Sequence, residues 1–186
     1  MSSQQPNIKN IGPNTSLLRR RLTDLGLEFD VDDALDEENP GAPNVTYASF
    51  AGTPPSQQWF VFFFTHEEIG LVRCYVNFYQ AQSTREANNL LKVANHINYN
   101  WLLNANLEFS SPPDYLRIKS YFNAGRNGFP AAEFSAWVKK QIARGGYMSM
   151  LFANIAADTD DFDLNSQITN ATKKVEETFG YQVDID

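Results

Sequence analysis

Six consecutive apolar residues, Trp59-Phe60-Val61-Phe62-Phe63-Phe64, constrain this chain more than any other feature. The run has the length of a strand, and its aromatic and β-branched side chains suit a pleated surface. Side chains alternate across a strand, so a run that is apolar throughout offers apolar groups to both faces of its sheet. The expectation is a strand with a neighbour on each side and some cover over each face. A link from Thr65 to Gly70 then leads to Leu71–Tyr79, which alternates cleanly. Val72, Cys74, Val76 and Phe78 fall on one side, and Arg73, Tyr75, Asn77 and Tyr79 on the other. A link of that length between two such runs predicts an antiparallel hairpin.

The remaining elements arrange themselves around that pair. Residues 1–13 are polar, close on Gly12-Pro13, and read as a disordered lead-in. Leu18, Leu22 and Leu25 recur at helical spacing, which predicts a helix from about Thr15 to Leu25, with Arg19, Arg20 and Arg21 mostly facing water and Gly26 as its stop. Asp30 to Pro43 is acidic and reads as a loop, preceded at most by a short strand at Leu27–Phe29, and Val45–Phe50 reads as a strand. Ser83-Thr84-Arg85-Glu86 fits a capping box ahead of a helix from Thr84 to about Leu103. Two further strands, Leu107–Phe109 and Tyr115–Phe122, flank a Ser-Pro-rich link. Pro130 opens a helix that carries Phe134, Trp137, Val138 and Ile142, and Gly145-Gly146 predicts a break or kink in it. Asp163 is placed to cap a last helix, striped by Leu164, Ile168, Ala171, Val175 and Phe179.

The resulting order is α-βββ-α-ββ-α with an extra C-terminal helix. It contains no βαβ alternation and no internal repeat. The expected fold is α+β: a five-stranded antiparallel sheet with helices packed mainly on one face. A chain of 186 residues is enough for one domain with its own core. The expected division is a tail at 1–13, the α+β domain at 14–160, and a C-terminal helix at 161–186 packed on or extending that domain.

Charge and cysteine content narrow the function. Net charge is −7, so phosphate backbones are repelled and nucleic acid is not an expected partner. The single cysteine, Cys74, sits in an apolar strand and reads as a buried structural thiol. No run approaches the roughly 18 apolar residues of a membrane span. Residues 1–13 lack the apolar core of a secretory signal, so the expected setting is cytoplasmic, away from membranes.

The search for chemistry returns little. His66-Glu67-Glu68-Ile69-Gly70 begins like a zinc-protease helix but lacks the second His at i+4. His96 lies in an Asn-rich helix end with no evident catalytic partner. The acidic stretch from Asp158 to Asn165 fits no calcium-loop register. There is no phosphate-binding glycine loop and no nucleophile elbow. A non-enzymatic protein with no metal or cofactor is expected. One constellation remains: Arg73, Tyr75, Tyr79, Tyr115, Arg117, Lys119 and Tyr121 should share the sheet face turned away from the helices. Tyr beside Arg is the pairing that dominates protein interfaces, so another protein, or a second copy in a homodimer, is the expected partner.

The element order, with Asn95-His96-Ile97-Asn98-Tyr99-Asn100 closing the central helix ahead of a strand hairpin, resembles the YbjN family and its type III secretion chaperone-like fold. The parts that carry the likeness are Leu90–Asn100, Ala105, Leu107–Phe109 and Tyr115–Phe122, together with Leu25-Gly26-Leu27 before an acidic segment. The likeness spans about Thr15 to Ala157. It implies a small regulatory or chaperone-like protein, often dimeric, and carries over no catalytic residue. An adaptor role through the C-terminal helix, or an enzyme with an unrecognised site around His96, are the alternatives.

Overall fold

A computed structural model describes residues 11–32, 44–52, 54–100, 105–110, 115–124, 129–157 and 163–179. Four helices and six strands appear among them: α1 (Pro13–Asp24), β1 (Asp30–Asp32), β2 (Asn44–Phe50), β3 (Trp59–His66), β4 (Leu71–Gln80), α2 (Thr84–Asn100), β5 (Asn106–Ser110), β6 (Tyr115–Asn123), α3 (Ala131–Ala157) and α4 (Leu164–Phe179). The strands form one sheet in the order β1-β2-β3-β4-β6-β5, with every neighbouring pair antiparallel. The α+β class and the antiparallel sheet match the sequence reading, but the sheet has six strands rather than five. The added strand, Asp30-Val31-Asp32, lies in the segment read as loop; two Asp in three residues give no strand signal, and its pairing to β2 creates it. The rest of that acidic segment, most of the 1–13 tail and the Asp158–Phe162 stretch lie outside the described residues.

All four helices sit on one side of the sheet. α3 runs across the middle, where Phe63 meets Trp137 and Phe78 meets Phe152 at ring-centroid distances of 6.1 and 5.4 Å. α1 contributes Leu18 and Leu22 to the same core, and α2 contributes Leu90, Val93, Ala94 and Ile97. α4 lies against α3 and buries Ile168, Ala171 and Val175. Its bounds equal the predicted helical stripe, and Asp163 accepts from Asn165 N at 3.3 Å and from the Ser166 hydroxyl, as a capping residue should. The capping box of α2 is present in altered form. Ser83 Oγ accepts from Glu86 N at 3.2 Å, but the Glu86 carboxylate reaches past Ser83 to Gln82 N at 2.6 Å.

Gly145-Gly146 does not break α3, which is continuous from Ala131 to Ala157. The reason is close packing. A Cβ on Gly145 would sit 2.4 Å from Trp59 Cζ3 and 2.7 Å from Val76 Cγ1, so the missing side chain lets the helix backbone rest on β3 and β4. The helix tolerates the glycine because this approach brings Met148, Leu151 and Phe152 into the core.

Two ends of the domain are fixed by polar side chains reaching across the chain. Glu67, in the 3-10 turn between β3 and β4, caps α1 from outside. Its carboxylate accepts from Asn14 N (3.0 Å), Thr15 N (2.7 Å) and Thr15 Oγ1 (2.6 Å). Asn98 in α2 holds β5: its amide donates to the Leu107 carbonyl at 2.9 Å and accepts from Leu107 N at 2.7 Å. Leu107 on the outer edge of β5 is therefore paired in both directions, which removes one point where another strand could add.

Candidate functional site

Strand register shows which side chains share the face opposite the helices. Residues paired across an antiparallel ladder point the same way, so three rows can be followed over the sheet. One row runs Asp30, Tyr47, Phe62, Tyr75, Lys119. The next runs Val45, Phe64, Arg73, Tyr121, and the third Ser49, Phe60, Asn77, Arg117, Glu108. No described helix packs on this side.

The middle of the face is aromatic. Tyr47 and Phe62 stack at 5.6 Å, Phe60 and Phe62 lie 6.1 Å apart, Phe62 and Phe64 6.5 Å, and Phe64 meets the edge of Tyr75 at 5.5 Å. These rings touch one another rather than the hydrophobic core, whose members Trp59, Val61 and Phe63 occupy the alternate positions of the same strand. The expected cover over both faces of β3 is thus found on one face only among the described residues. An apolar group left partly in water keeps a favourable free energy of burial in reserve for a partner.

The β4–β6 flank is cationic. Arg117 stacks over Tyr75 with its guanidinium carbon 4.1 Å from the ring centroid, and it pairs with Glu108 at 2.7 Å. Lys119 lies 5.8 Å from the Tyr121 ring and 3.9 Å from Glu108. The Tyr121 hydroxyl first, and Glu108 after it, push the Lys119 ammonium above its ordinary range, with burial opposing, so it is charged at neutral pH. Arg73 makes no ion pair among the described residues, and its Nε has no hydrogen-bond partner there. Among the described residues three cations thus face a single carboxylate on this flank, in a chain whose total charge is negative. His66 ends β3 close to Arg73; burial first, and the Arg73 charge second, lower its pKa, which keeps it neutral at pH 7.

Six of the seven residues read from the sequence do share this face: Arg73, Tyr75, Tyr115, Arg117, Lys119 and Tyr121. Tyr79 does not. The β4–β6 register slips between Asn77 and Tyr79, so Phe78 is an extra residue in its strand and Tyr79 turns to the helix side. There it is buried, and its hydroxyl donates to Glu86 Oε1 at 2.7 Å. Burial, and then Glu86, push that phenol far above its usual range. Missed in the sequence were Tyr47, Phe60, Phe62, Phe64, Asp30 and Glu108. The continuous apolar run at Trp59–Phe64 carried the signal for the three Phe, but only strand order says which of its faces stays open.

Other candidates look structural. Cys74 is fully buried, and burial, opposed by Ser120, pushes its thiol far above the usual range. His96 is half-buried on α2, where its carbonyl accepts from the Asn100 amide at 2.9 Å. Among the described residues no three His, Cys, Asp or Glu gather as metal ligands, and no helix is long and apolar enough to cross a membrane. No protein-family model matches the chain, and no curated protein sequence matches it.

Proposed function

We propose that this chain is a non-enzymatic protein-interaction domain of the YbjN type, chaperone-like or regulatory, that docks another protein on its open sheet face. One observation carries the reading: a connected strip of rings, Tyr47-Phe60-Phe62-Phe64-Tyr75, lies on the side away from every described helix and is flanked by Arg73, Arg117 and Lys119. Aromatic and Arg side chains supply most of the binding energy of protein interfaces, because they bury large area at small entropic cost. The edges are less inviting. Leu107 on β5 is held by Asn98, and β1 offers two Asp in three residues.

The adaptor reading, in which α4 makes the contact, has less support. The apolar stripe of α4 is spent on α3 through Ile168, Ala171 and Val175. A single-stranded nucleic acid could also stack on such rings, but a net charge of −7 opposes it. A photo-crosslinking amino acid at position 62, compared with one at the exposed position 173 on α4, separates these readings in cells. Discrete protein adducts from position 62 and none from 173 are expected. Adducts from 173 alone would transfer the role to α4, and none from either would reject docking.

A further inference from the structure

We propose that the protein seated on this face is a second copy of the same chain, stacked face to face about a twofold axis that runs along β3. The inference rests on the docking role of the open face and adds to it the identity and register of the occupant.

The face is self-complementary about β3. Asp30 on β1 lies two strands to one side, and Lys119 on β6 lies two strands to the other. They belong to one row, since Asp30 pairs with Tyr47, Tyr47 with Phe62, Phe62 with Tyr75, and Tyr75 with Lys119. With neighbouring strands about 4.8 Å apart, each charge is displaced by about 10 Å from the β3 axis. A half-turn about that axis exchanges the two sides and preserves height along the strand. Asp30 of one copy then falls over Lys119 of the other, Tyr47 over Tyr75, and Phe62 over Phe62. In the neighbouring row Val45 falls over Arg73 and Phe64 over Phe64.

The other in-plane twofold, across the strands, sets Asp30 over Asp30 and Lys119 over Lys119, which repel. Charge therefore selects between two packings that share the same aromatic middle. The net charge of −7 on each copy opposes association in any register that lacks such local acid–base pairing. Size is adequate as well. Four strands about seven residues long, with the three residues of β1 beside them, project to roughly 500 Å², at about 4.8 Å per strand and about 3.4 Å per residue, before side-chain relief is added. A standard interface covers about 800 Å² per partner. Sheets stacked this way pack about 10 Å apart, close enough for the facing rings to interdigitate.

Sedimentation equilibrium at micromolar concentration tests the arrangement by charge exchange. Wild type should run at twice the 21.1 kDa chain mass. Phe62→Asp should run as a monomer. Asp30→Lys alone and Lys119→Glu alone should each weaken the dimer at least tenfold, and the double variant should return to near the wild-type dissociation constant. Arg117 keeps Glu108 paired when Lys119 is changed, and matched circular dichroism melts confirm that each variant is folded. A monomeric wild type, a dimer indifferent to Phe62→Asp, or a double variant no tighter than the singles overturns the proposal. If wild type is monomeric while position 62 still crosslinks to a different protein, the docking role stands and the second copy does not.

Discussion

Adjacent glycines in α3 should respond oppositely to the same substitution. Replacing a helix-interior Gly by Ala gains about 1 kcal/mol of helix propensity, so both changes begin with the same credit. At Gly146 the new methyl meets, among the described residues, only Trp59 Cζ2 at 3.8 Å, an ordinary van der Waals distance. Gly146→Ala should therefore stabilise by about 0.5–1 kcal/mol. At Gly145 the methyl would lie 2.4 and 2.7 Å from two indole carbons of Trp59 and 2.7 Å from Val76 Cγ1. Carbon atoms rest at about 3.5–4.0 Å, so something must retreat by about 1 Å. Neither neighbour has room: Trp59 is stacked on Phe50 at 4.2 Å, and Val76 is completely buried. Overpacking of this kind costs about 3 kcal/mol, which leaves a net loss of about 2 kcal/mol. For a chain of this length about 2–4 °C corresponds to 1 kcal/mol. Thermal unfolding should then place Gly145→Ala about 4–8 °C below wild type and Gly146→Ala about 1–4 °C above it. Equal shifts of one sign would refute the close approach of α3 to the sheet.

Two further predictions concern polar groups at the end of the β3–β4 hairpin. Glu67→Ala removes three hydrogen bonds from the start of α1, one of them to the buried Thr15 hydroxyl, and should cost about 2–3 kcal/mol in urea unfolding, with Glu67→Gln costing less; a loss below about 0.5 kcal/mol would show that water replaces the cap. His66 has a folded-state pKa below its ordinary 6.5, so the unfolded chain takes up its proton first as pH falls. Its contribution is therefore neutral above about pH 6.5 and increasingly destabilising below it. The stability difference between wild type and His66→Gln should grow in favour of the variant between pH 7 and pH 5, and a flat difference would contradict the burial of the imidazole.

Much of this fold was legible because local chemistry and tertiary structure agree. Asp163 and the Leu164–Phe179 stripe set the bounds of α4, and alternation in Leu71–Phe78 set the faces of β4. What failed to read depended on neighbours distant in sequence. β1 exists only because Asn44–Phe50 offers it an edge, since Asp-Val-Asp has no strand preference of its own. The bulge at Phe78 shifts Tyr79 to the opposite face without any Gly or Pro to announce it. Gly145 looks the same as Gly146 until Trp59 and Val76 are found pressed against the first and Trp59 at ordinary contact distance from the second. The face carrying the candidate site was half visible: its Arg, Lys and Tyr alternate in β4 and β6, while Phe60, Phe62 and Phe64 are indistinguishable by sequence from the core residues between them.

The parity of β3 is also the most direct test of the whole account. Unfolding by urea, followed by tryptophan fluorescence on dilute protein so that association does not contribute, compares Phe62→Thr with Phe63→Ala. Phe63 is a core residue and its truncation should cost about 3–5 kcal/mol. Phe62 is half-buried among Tyr47, Phe60 and Phe64, and its replacement by a strand-compatible Thr should cost about 1–2 kcal/mol. A loss at Phe62 as large as that at Phe63 would mean that the chain covers this face itself, leaving no surface for a partner.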